Sequence, residues 1–171
     1  MADDTQPKDG LQLLAADHRK VESLFEAFEG ASGGAAKEKL VKQICTELKV
    51  HAQIEEEIYY PEIRGKVEEA DLDEAYVEHD SAKLLINELE AAEPDEAYYD
   101  AKVKVLAELI EHHVAEEEKL RDNLFQQTRA ADVDLVALGA KLAARKAELL
   151  AQAKDEGLPP AEAATLQHEA I

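Results

Sequence analysis

The stretch whose reading decides the fold is "VHAQIEEEIYYP", residues 50–61, together with its echo "EHHVAEEEKLRD" at residues 111–122. Each places a histidine and, four residues on, a glutamate where a helical apolar stripe should continue. In the first the stripe reads Ile44, Leu48, His51, Glu55, Ile58, and in the second Val103, Leu106, Ile110, His113, Glu117, Leu120, Leu124. Residues three and four apart share one helix face, so these polar side chains point inward with the apolar ones. Two further stripes carry one histidine each: Leu14, His18, Val21, Phe25 and Leu72, Tyr76, His79, Ala82, Ile86.

The layout is duplicated. His18 and His79 are 61 residues apart, His51 and His113 are 62 apart, and so are Glu55 and Glu117. Two copies of one helical hairpin, each carrying H…HxxxE, bring the polar residues to similar heights in a bundle. An ionised carboxylate in such a core is strongly disfavoured by desolvation. Two neighbouring carboxylates also raise each other's pKa. A pair of cations removes both penalties, because carboxylate and neutral imidazole are ligands such cations take. One histidine alone reads as a satisfied core residue; four on four helices with two matched glutamates read as a metal site.

The donor set narrows the metal. Six nitrogen and oxygen donors without sulfur, drawn from four helices, suit a binuclear site. Zinc favours four ligands in a closed tetrahedron, and magnesium and calcium favour oxygen cages. Two irons bridged by Glu55 and Glu117 fit best, with manganese and zinc ranked behind. Ferritin-type di-iron bundles carry E-x-x-H on two helices; here the order is H-x-x-x-E. His112 and Glu116 form a competing HxxxE pair, but the repeat and the stripe favour His113 and Glu117. His112 is then expected beside the cluster or at the surface, and Glu116 and Glu118 are expected as solvated carboxylates.

Around these stripes the chain reads as all-α: an up-down-up-down four-helix bundle with an additional C-terminal helix. Helices are predicted over 11–29, 35 to the mid-60s, 71–92 and 94–128. "GASGG" at 30–34 and "AAEPDE" at 91–96 serve as turns, and Pro61 should kink or stop the second helix near Tyr60. The expected organisation is a disordered lead at 1–10, the bundle at 11–128, a packing helix at 129–154 and a flexible tail at 155–171. The fifth helix should present Val133, Val136, Leu142 and Leu149 from outside the bundle. His168 is expected to be solvent-exposed.

Of 171 residues, 46% are hydrophobic and 34% charged, with a formal net charge of −20. That charge repels phosphate backbones and anionic membrane surfaces, so neither nucleic acid nor membrane is expected as a partner. No apolar run approaches membrane-spanning length. Cys45 is the one cysteine in the sequence, which excludes an intrachain disulfide and a thiolate metal cluster. It is expected as a buried structural thiol, and the polar start of the chain fits a cytoplasmic setting.

At "ADHRKVESLF", "HAQIEEEIYYP", "VEHDSAKLL" and "HVAEEEKL" the chain resembles the hemerythrin-like family, the HHE cation-binding domains, over about residues 11–128. The resemblance implies a four-helix bundle holding two iron ions with an oxo or hydroxo bridge. It assigns His18 and His51 to one iron, His79 and His113 to the other, and Glu55 and Glu117 to the bridge. Oxygen-carrying members have a second histidine four residues from the first on the third helix; here those positions are Lys83 and Ala75. Open positions on both irons result unless Tyr59, Tyr76 or Lys83 fills one, and for each of these packing or solvation is the expected role. Members with this shorter ligand set resemble peroxide-decomposing or sensing proteins. The expected function is binding of, or reaction with, dioxygen or hydrogen peroxide, with catalase-like turnover in oxidative stress. The alternative is a module that senses or stores oxygen, nitric oxide or iron. The sequence names no protein partner.

Overall fold

The computed structural model describes Pro7 and residues 9–166. Among them all regular structure is helical: α1 (Gly10–Glu29), α2 (Gly34–Ile54), a π-helical turn π1 (Glu55–Tyr59), α3 (Tyr60–Ile63), α4 (Glu69–Glu90), α5 (Tyr99–Val114), a second π turn π2 (Ala115–Lys119), α6 (Leu124–Ala130) and α7 (Leu135–Asp155). No described helix is long and apolar enough to cross a membrane. Local chemistry sets the ends. Asp9, Asn123 and Asp134 each accept a backbone N–H three residues on, capping α1, α6 and α7. Gly33, at φ +90°, makes the left-handed turn that leads into α2.

α1, α2, α4 and α5 form the up-down-up-down bundle, and its core is split in two. Leu11, Leu14, Ile54, Tyr60, Leu72 and Phe125 belong to one apolar cluster. Val21, Phe25, Ile44, Ile86, Val103 and Leu106 belong to the other. α1, α2 and α4 each pass from one cluster to the other through a histidine: Leu14–His18–Val21 on α1, Leu48–His51–Ile54 in the opposite sense on α2, and Ala75–His79–Ala82 on α4. α5 carries Val103 and Leu106 of the second cluster and ends just past His113. The polar residues thus form a layer between two apolar halves. Apolar burial at about 25 cal/mol per Å2 on both sides holds this layer in place.

Four expectations need correction. The fourth helix does not run unbroken to Thr128: after π2 the backbone turns extended at Leu120 and left-handed at Asp122, and α6 starts afresh. Leu120 is therefore 51% exposed rather than part of the stripe, while Leu124 is buried. The fifth helix buries Leu138, Leu142 and Leu149, and Val136 is exposed, because the band follows the 3.6-residue period from Leu138. α7 itself packs on the outside of the bundle as expected, against α1 and α2. A Cβ on Gly139 would stand 2.8 Å from the Gly10 nitrogen, so two glycines let the backbones of α7 and α1 meet. Finally, residues 157–166 of the expected loose tail are docked on the bundle, as described below. Asp9 and Gly10 belong to the start of α1 rather than to a lead. The rest of the lead, apart from Pro7, and His168 lie outside the described residues.

Candidate metal centre

The structure brings His18, His51, Glu55, His79, His113 and Glu117 into one buried cluster. His18 Nε2 faces His51 Nε2 at 3.1 Å, and His79 Nε2 faces His113 Nε2 at 3.2 Å. The glutamates lie between these pairs. Glu55 reaches His51 Nε2 and His79 Nε2, each at 3.2 Å. Glu117 reaches His18 Nε2 at 3.3 Å and His113 Nε2 at 3.4 Å. Two donor groups result, one of His18, His51, Glu55 and Glu117 and one of Glu55, His79 and His113.

A carboxylate stands behind each imidazole. Nδ1 of His51 is 3.3 Å from Asp17, that of His79 is 2.9 Å from Glu56, and that of His113 is 2.6 Å from Glu78. His18 Nδ1 is 3.4 Å from Glu118, an approach too oblique for a hydrogen bond. An outer carboxylate holds the imidazole proton on Nδ1, which leaves the Nε2 lone pair bare and directed inward. Bare lone pairs 3.1 Å apart, facing carboxylate oxygens, repel one another unless a cation lies among them. Two buried oxygens, Glu55 Oε1 and Glu117 Oε2, also lack any well-formed hydrogen bond. Adjacent ligands on a cation at about 2.1 Å stand about 3 Å apart, so the donor set fits metal ions.

Without a metal, protons fill that electrostatic role. Burial opposes charge on His51, yet Glu55 and Asp17 outweigh it and push its pKa up to about 10. His113 is likewise raised against burial by Glu117 and Glu78. Burial and the neighbouring Glu117 push Glu55 up, but His51 and His79 pull it down to about 2.

Sequence reasoning missed two features. The first is Tyr60. Its hydroxyl donates to Glu117 Oε1 at 2.8 Å and stands 3.2 Å from both Glu55 Oε2 and His79 Nε2. Burial and then Glu117 raise its pKa well above the ordinary phenol value, so it stays a donor. An α-helix would have aligned Tyr59, four residues after Glu55; the wider turn of π1 advances Tyr60 instead. Tyr59 points away and bonds Thr128 Oγ1 at 2.8 Å. Tyr76 packs on Tyr60 with Arg64 over its ring. Lys83 is tied to Glu56 and Asp80, away from the cluster.

The second is the outer carboxylates. Glu118 is not solvated: it sits beside His18 and pairs with Arg19. The repeat contained the signal. Asp17 and Glu78 precede His18 and His79, while Glu56 and Glu118 follow Glu55 and Glu117, so each hairpin reads [DE]H…HxxxEE. His112 is 59% exposed, beside Glu78 and Glu116 on the outer surface.

The fold and this cluster define a helical bundle with an interior donor set suited to cations. The match to a family model is specific: residues 9–121 fit the hemerythrin HHE cation-binding domain, and the chain belongs to that family. A crystal structure of a hemerythrin HHE cation-binding domain-containing protein from Mycobacterium kansasii shares the fold, with a TM-score of 0.72 over 88% of this chain and 94% of that one at 22% identity. A curated relative from Nostoc sp., named DNA nickase, is 29% identical over 148 residues. The match takes in 83% of this chain but only 42% of that relative, so the chain spans less than half its length. That relative's name overturns the exclusion of nucleic acid drawn from net charge. Net charge describes the whole surface and does not decide what one part of it contacts.

Proposed function

We propose that the cluster holds two iron ions, with His18 and His51 on one, His79 and His113 on the other, and Glu55 and Glu117 shared, and that the protein reacts there with dioxygen or hydrogen peroxide. The observation that carries this reading is the set of four inward-facing imidazoles around two buried carboxylates. When bound, the iron pair supplies redox electrons and Lewis acidity to a small oxygen ligand.

The protein residues have separate tasks. Asp17, Glu56 and Glu78 orient imidazoles and raise their basicity through Nδ1. Phe125 stacks on His18 at 5.9 Å and excludes water from that side. Tyr60 adds a hydroxyl next to His79, in the donor group that has one residue fewer, and can donate a hydrogen bond to an incoming ligand there. This asymmetry favours turnover at one side of the centre over simple carriage.

The test is iron content per chain, the near-ultraviolet charge-transfer band and oxygen evolution from peroxide on one sample. Turnover well above that of His51→Ala supports the reading. Iron uptake with ligand binding but no turnover makes the protein a sensing or storage module, and failure to take up iron refutes both. A second reading comes from the relative named DNA nickase: two-metal centres also assist phosphodiester cleavage. Conversion of supercoiled plasmid to the nicked form by metal-bound protein, absent in His51→Ala, would favour it.

A further inference from the structure

A cavity of about 490 Å3 lies beside the histidine cluster. His51, His79 and His113 form its floor, and residues 158–164 form its roof. Gly157, at φ +80°, turns the chain back after α7. The roof is held by side chains from α2 and α4 acting on its backbone. Asn87 pairs with both polar atoms of Ala161, donating to the oxygen and accepting from the nitrogen, each at 2.9 Å. Lys49 donates to Leu158 O at 3.4 Å and Lys83 to Glu162 O at 2.9 Å. Asp80 accepts the N–H groups of Ala164 and Thr165, each at 2.7 Å, and the Thr165 hydroxyl at 2.5 Å.

Little else holds this segment. Pro159, Pro160 and residues 162–166 are exposed, and of the roof only Leu158 packs against the core. The anchoring hydrogen bonds are only part-buried, and segments with few buried apolar contacts open at low free-energy cost. We propose that residues 158–165 are a detachable strap that closes the cavity over the cluster, and that its release admits small molecules to His51, His79 and His113. The proposal goes beyond the iron reading and stands without it, because strap, anchors and cavity are all parts of the chain.

The test uses metal-free protein carrying all 171 residues. Ala82→Cys introduces a thiol at a buried position lining the cavity. Cys45, fully buried and outside the lining, is the internal control for unfolding. Two strap variants are compared in that background. Asn87→Asp removes one donor to Ala161 and sets a carboxylate against its carbonyl; Thr165→Glu sets a charge against Asp80. Each should speed labelling of the introduced thiol by a disulfide reagent by about tenfold, the effect of losing roughly one hydrogen bond, while Cys45 stays unlabelled. Equal labelling with and without the strap variants overturns the proposal. So does Cys45 labelling in parallel with the introduced thiol.

Discussion

Tyr60→Phe removes one atom from the centre of the molecule, and the structure sets how much that atom is worth. The hydroxyl is fully buried and donates to a Glu117 oxygen at 2.8 Å. Hydrogen bonds to charged groups contribute about 1.5–3 kcal/mol, and no water has access to replace this one. A loss of about 2 kcal/mol in a chain of this size lowers Tm by about 4–8 °C. Tyr59→Phe is the matched control. It deletes an equally buried hydroxyl whose partner, Thr128, keeps its bond to Leu124 O at 2.8 Å. A neutral pair of that kind contributes about 0.5–1.5 kcal/mol. Thermal melting of both variants, metal-free and with ferrous iron, measures the difference. It should narrow with iron, since a cation on Glu117 takes over the stabilisation the phenol provided. If metal-free Tyr60→Phe melts no lower than Tyr59→Phe, the phenol does not anchor the carboxylate, and the reasoning that makes it part of the centre fails.

Glu78→Gln, which weakens the hold on His113 Nδ1, should lower affinity for iron or cobalt by about 10–100-fold in a chelator competition with little change in melting. Gly139→Ala should destabilise by about 1–3 kcal/mol by forcing α7 off α1, read as a lower urea midpoint. Leu124→Ala should cost about 2–5 kcal/mol, whereas Leu120→Lys should be nearly neutral, which a continuous fourth helix would not allow. Burial pushes the Cys45 thiol up to about 12, so in native protein at pH 8 it should resist alkylation and react fully only on unfolding.

Much of the site was legible because it breaks a period. His18, His51, Glu55, His79, His113 and Glu117 interrupt apolar stripes at helical spacing, and their 61- and 62-residue repeat sets them at one level. Their convergence needs the helices to be regular through the histidines, which they are: π1 begins at Glu55 and π2 at Ala115. Tyr60 was not legible, because a π turn changes the spacing that aligns residues, and no single residue type announces such a turn. The second π turn, Ala115–Lys119, likewise ended the fourth stripe at Glu117 and left Leu120 exposed.

The sequence by itself determined the all-helical bundle, the inward direction of the six polar residues and the paired hairpins, since these follow from periodicity and turn residues within each segment. The tertiary structure alone decided which carboxylate stands behind which imidazole, that the phenol of Tyr60 joins the cluster, and that residues 158–165 cross α2 and α4 to roof it. Those contacts join residues far apart in the chain, such as His18 with Glu118 and Asp80 with Thr165. Local propensity carries no record of such pairings; they arise when packing fixes the helices against one another.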